Sequence, residues 1–63
     1  MTVPDVARLE AEARFHGKRF ASYRARRSGG RPTSETRFQE LERAFQVANG
    51  RLLLARRAAA HLN

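Results

Sequence analysis

The chain has 63 residues, no cysteine, two histidines and a formal net charge of +7. A chain of this length forms one small domain, residues 1–63, and buries only about 60% of the surface that its unfolded form exposes. The lack of cysteine excludes disulfides, and His16 and His61 lack the spacing of a zinc motif, so we expect no metal ion and no cofactor. We therefore expect self-association to supply the missing stability.

The first predicted element is a helix over about residues 3–27. Thr2 and Asp5 have the spacing of a capping box, and Pro4 is tolerated in a first helical turn. Apolar and aromatic positions then recur every three or four residues, which is typical of one face of a helix. This first stripe consists of Val6, Leu9, Ala13, His16, Phe20 and Tyr23.

A turn at residues 28–32 ends this helix, because glycine accepts the left-handed conformation and proline cannot continue a helix. Thr33 or Ser34 caps a second predicted helix over about residues 33–62. Its stripe keeps the three-four spacing throughout and consists of Phe38, Leu41, Phe45, Ala48, Leu52, Ala55, Ala59 and Leu62.

Two long helices joined by a short turn fold back on each other, so we predict an all-α antiparallel hairpin. If position i faces position 61 minus i, every stripe residue meets a stripe residue. This register also sets Gly17 beside Ala44 and Gly50 beside Ala11. Because small residues then face each other, we expect the two helix backbones to approach closely at both glycines. The predicted pairs are Tyr23 with Phe38, Phe20 with Leu41, His16 with Phe45, Ala13 with Ala48, Leu9 with Leu52 and Val6 with Ala55.

An alternative is a small three-helix bundle in which Asn49 and Gly50 end the second helix and open a third. The apolar stripe favours a continuous helix, because Phe45, Ala48 and Leu52 keep the same phase across Gly50.

The basic residues are concentrated around the turn. Residues 13–34 carry seven Lys or Arg and no Asp or Glu, whereas the rest of the chain holds six basic and six acidic residues. A one-sided cluster of this kind is typical of a surface that binds phosphate, although cations in the last turn of a helix also stabilise its dipole. We predict nucleic-acid binding through phosphate contacts by Lys18, Arg19, Arg24, Arg26, Arg27, Arg31 and Arg37.

Gly30-Arg31-Pro32 resembles the core of the minor-groove arms that insert arginine into A·T-rich DNA. In those arms a basic residue stands at the position of Gly29, and a helix-breaking turn explains the same residues without DNA. The predicted hairpin also resembles, in size and plan, a hairpin protein of the large ribosomal subunit and a plasmid copy-control protein that binds RNA. No motif is shared with either, so no residue role is transferred.

A second apolar patch is predicted beside the first stripe. Phe15 projects roughly 130° away from the stripe at 100° per residue, and Val47 and Leu54 are offset in the same sense. A hairpin with two apolar faces is half of a four-helix bundle, so we expect a homodimer or a partner protein. The alternative function is therefore an interaction module, such as an adaptor, inhibitor or antitoxin-like subunit. Its predicted interface consists of Phe15, Ala44, Val47, Leu54 and Ala58.

Enzyme and membrane functions are not expected. No nucleophile stands beside a base, no glycine-rich loop has the pattern of a phosphate cradle, and carboxylates such as Glu10 and Glu12 are spaced for helical ion pairs. No apolar run approaches the ~20 residues of a membrane span, and the N-terminus lacks the pattern of a signal peptide. We expect a cytoplasmic, non-enzymatic protein without a small-molecule substrate.

Overall fold

The computed structural model describes residues 5–61. These residues form two α-helices and no strand: α1, Val6–Ser28, and α2, Glu35–His61. The helices pack against each other along their length in a rod of 49 × 16 × 13 Å. The predicted all-α hairpin is confirmed.

Asp5 caps the first helix. Its Oδ1 accepts a hydrogen bond from the backbone N–H of Arg8 at 3.0 Å, and its carbonyl accepts from the N–H of Leu9 at 3.1 Å. A carboxylate at the N-cap satisfies a donor that the helix itself leaves free. The helix therefore begins at Val6 and not near residue 3 as predicted, while Thr2 and Pro4 lie outside the described residues.

The end of α1 is a Schellman motif at Gly30. Gly30 has a φ of 78°, the N–H of Gly30 donates to the carbonyl of Arg27 at 3.3 Å, and the N–H of Arg31 donates to the carbonyl of Arg26 at 3.1 Å. A side chain at Gly30 would be strained in this left-handed conformation, so glycine is required here.

Side chains then fix the start of α2. Ser34 is the capping residue of the predicted pair, because its Oγ accepts from the N–H of Arg37 at 3.3 Å. The N–H of Ser34 donates to the hydroxyl of Tyr23 at 2.6 Å. Tyr23, which belongs to the first stripe, therefore also links the end of α1 to the start of α2 through its hydroxyl.

The core is a thin seam between the two helices. Val6 and Leu9 pack against a buried cluster of Ala13, Ala48 and Leu52, as the predicted register requires. The ring centroid of Phe20 is 5.3 Å from that of Phe38 and 6.2 Å from that of Phe45. These two residues flank Leu41 along α2, and Leu41 is the residue that was predicted to face Phe20. The buried side chains among residues 5–61 are Ala13, Leu41, Ala48, Leu52 and Ala55.

The two mid-helix glycines differ in their surroundings. A Cβ at Gly17 would lie 3.1 Å from Cε1 of Phe45, so a ring packs against this glycine where Ala44 was predicted. Gly50 has no atom within 4 Å of such a Cβ, so the predicted close approach to Ala11 is wrong. α2 nevertheless continues through Gly50, and the three-helix alternative is wrong as well.

Alanine substitutions at Gly17 and Gly50 are expected to differ in their effect on the free energy of unfolding, because only Gly17 lies against a ring. Gly50→Ala adds helix propensity without a clash and should raise the free energy of unfolding by about 0.5–1 kcal/mol. Gly17→Ala brings the same propensity but displaces the Phe45 ring, so it should be the less stable of the two variants. Chemical denaturation followed by circular dichroism measures both, and equal stabilisation would contradict the packing at Gly17.

Candidate nucleic-acid interface

Two open grooves lie between the helices. The first, which we call the basic groove, lies towards the closed end of the hairpin and has a volume of about 470 Å³. The second, the central groove, has a volume of about 590 Å³. The basic groove is lined by Phe15, Lys18, Arg19, Ser22, Tyr23 and Arg26 from α1 and by Arg37 and Leu41 from α2.

The α1 side of the basic groove is a helical stripe. Phe15, Arg19, Ser22 and Arg26 follow one another at spacings of four, three and four residues, which aligns them along one face. At 1.5 Å per residue, this stripe extends about 16 Å along the helix axis. The helix thus presents an aromatic ring, two guanidinium groups and a hydroxyl in one row.

The charge of the basic groove is entirely positive. Four of its lining residues are cationic and none is acidic. Among the described residues, Lys18, Arg19 and Arg26 have no carboxylate within 4.0 Å, whereas Arg37 is 3.5 Å from Oε2 of Glu40, an exposed pair that adds little stability. Three unpaired cations along one groove create a positive potential that attracts a polyanion.

The structure brings together Lys18, Arg19, Arg26 and Arg37 of the predicted phosphate-binding residues. Arg27 instead forms an ion pair with Glu35 at 3.0 Å and lies 4.5 Å from the ring centroid of Phe38. This guanidinium therefore helps to hold the two helices together beside the turn. Arg24 and Arg31 also lie outside the basic groove, Arg24 with its guanidinium 5.8 Å from the centroid of Phe20 and Arg31 in the turn itself.

The predicted apolar patch is divided between the two grooves. Phe15 lines the basic groove, Ala44 and Val47 line the central groove, and Leu54 and Ala58 line neither. His16 links the two regions, because it lines the central groove and its ring centroid is 5.2 Å from that of Phe15. Phe15 thus shares a groove with the cations, and Val47 lines the adjoining groove.

The central groove has a mixed lining. Its lining includes the acidic residues Glu12 and Glu40 and the basic residues Arg43 and Arg51, together with Ala44 and Val47. This groove offers no concentration of one charge. It is a weaker candidate for a polyanion than the basic groove.

Two features of the surface were missed by the sequence reasoning. Leu53 is 52% exposed beside Leu54. The three consecutive leucines at 52–54 could have predicted an exposed leucine, because three successive residues of a helix point in different directions. Arg56 lies 3.4 Å from Oε1 of Glu10 and joins the helices near their open end. This ion pair could not be predicted from spacing along one helix, because the two residues are 46 positions apart in the chain.

Within residues 5–61, neither helix has an apolar stretch that could cross a bilayer, and no three His, Cys, Asp or Glu side chains converge as a metal site. Comparison with known proteins adds no assignment. No family model, no curated protein and no solved structure matches this chain.

Proposed function

We propose that this chain is a small non-enzymatic protein that binds nucleic acid and contacts the phosphate backbone through the basic groove. The observation that carries the proposal is the lining of that groove, in which Lys18, Arg19, Arg26 and Arg37 face no acidic lining residue. Phosphate contacts by such cations release counterions, which supplies most of the affinity in non-specific binding.

The shape of the groove favours backbone contacts over base readout. Its cations come from both helices and border an open cleft, whereas readout in the major groove needs one helix or ribbon inserted against the base edges. Arginine and lysine on phosphates position a protein without carrying sequence information. The proposed binding is therefore strongly dependent on salt and weakly dependent on sequence.

Fluorescence anisotropy with labelled single-stranded DNA, duplex DNA and an RNA hairpin tests the proposal. We expect micromolar or tighter affinity near 50 mM salt, and a decline in affinity of about 50-fold for a single strand between 50 and 200 mM if four phosphates are contacted. Absence of binding to all three polymers at low salt would refute the proposal.

A second candidate function is a protein interaction module, including a homodimer that forms a four-helix bundle. The structure exposes 5084 Å², whereas a compact monomer of 7.2 kDa exposes about 4100 Å². The difference is close to the ~800 Å² that each partner contributes to a standard interface. Val47 and Leu54, which are 49% and 66% exposed, are the apolar side chains that a second copy would cover.

Sedimentation equilibrium tests this second candidate by measuring the molar mass of the protein in solution. A dimer at micromolar concentration that Val47→Glu/Leu54→Glu converts to a monomer would support it. A wild-type monomer across the whole concentration range would exclude the homodimer and leave the basic groove as the functional surface.

A further inference from the structure

Phe15 is an exposed aromatic ring in a groove in which four of the eight lining residues are cationic. It is 56% exposed, although it belongs to a helix whose other aromatic residues, Phe20 and Tyr23, face the second helix or its cap. The guanidinium of Arg19 lies over one face of this ring, with its carbon 5.5 Å from the ring centroid. This arrangement presents a flat apolar surface next to groups that bind phosphate.

We propose that the basic groove binds single-stranded nucleic acid, with an unpaired base stacked on Phe15 and the flanking phosphates on Lys18, Arg19 and Arg26. This inference rests on the proposed function and names its ligand class. An aromatic ring beside a positively charged groove is the chemical combination that unpaired nucleotides require, since every base has a flat face and every phosphate a negative charge.

A duplex does not use this combination. Its bases are stacked on each other inside the helix, so only its phosphates and groove edges reach a protein surface. On a duplex the cations of the basic groove would be used and the ring of Phe15 would not. In a single strand the base and its neighbouring phosphate are available together, and the stripe from Phe15 to Arg26 follows the strand for about 16 Å.

A protein partner fits this ring less well. An apolar partner surface placed on Phe15 would remove Arg19 and Lys18 from water without supplying a negative charge, and burial of an unpaired charge is costly. Val47 and Leu54 do not line the basic groove, so substitutions at these positions leave its lining residues in place. The two surfaces can be tested independently.

The test compares Phe15→Leu with the wild-type chain. Leucine keeps an apolar side chain and favours helix, but it removes the flat ring. We expect the affinity for a labelled oligothymidine of about 12 nucleotides to fall about tenfold, and the affinity for a duplex of the same length to change less than about twofold. Phe15→Trp, which retains an aromatic platform, should bind the oligothymidine at least as well as the wild type.

Circular dichroism confirms that each variant is folded before binding is measured. Equal affinity of wild type and Phe15→Leu for the oligothymidine, or an equal loss with both polymers, would overturn the inference while leaving the proposed function intact. Absence of wild-type binding to either polymer would overturn the proposed function and the inference with it.

Discussion

Leu52→Ala is expected to lower the free energy of unfolding by about 2–5 kcal/mol, which is a large part of the stability that a chain of this size has. Leu52 is 6% exposed and packs in the cluster with Ala13 and Ala48. The two alanines are too short to fill the cavity that truncation leaves, and Val6 and Leu9, which pack against this cluster, would lose contacts as well. Among residues 5–61 the other buried leucine is Leu41, which is outside this cluster.

The adjacent residue provides a matched control. Leu53 has the same side chain and is 52% exposed, so Leu53→Ala should change the free energy of unfolding by less than about 0.5 kcal/mol. Urea denaturation measures both variants. Similar losses at the two positions would mean that the seam between α1 and α2 is not the core of the protein in solution.

The second large effect concerns the basic groove. Arg19→Gln/Arg26→Gln should weaken the binding of a single strand by about tenfold near 50 mM salt, because two phosphate contacts are lost. The slope of log affinity against log salt should also become shallower by about 1.4, which is 0.7 for each contact with a single strand. Glutamine retains good helix propensity, so the fold is preserved.

The control for this variant has the same net charge. Arg14→Gln/Arg57→Gln removes two arginines that line neither groove and have no ion pair among the described residues. If the groove is the site, the control should lose less than about threefold in affinity, through the weaker overall field alone. Equal losses in the two double variants would show that only total charge matters.

The helices and the faces along which they pack could be predicted from the sequence because both depend on periodicity, whereas the neighbours of Gly17 and Gly50 could not. The three-four spacing of apolar residues determines which face of each helix is buried, and a short turn leaves few ways to pair the two faces. The start of α1 differed from the prediction because Thr2 and Asp5 both match N-cap preferences, and the hydrogen bond from the N–H of Arg8 identifies Asp5 as the cap.

The candidate site was only partly predictable. The excess of arginine around the turn is visible in the sequence, but the direction of each long side chain is not. The guanidinium of Arg27 contacts Phe38 and Glu35 on the other side of the turn. Spacing along one helix does not reveal such a contact. Phe15 was assigned to the apolar patch by its angle around α1, whereas in the structure the guanidinium of Arg19 lies over its ring and it shares a groove with four cations.

Chemical-shift mapping by NMR shows directly whether the basic groove is the surface that binds a single strand. A ¹⁵N-labelled chain is titrated with an oligothymidine of about 12 nucleotides at low salt. We expect the largest amide shifts on the residues of the basic groove, from Phe15 to Arg26 on α1 and at Arg37 and Leu41 on α2. Shifts confined to residues 44–58, or spread evenly over the surface, would contradict this expectation.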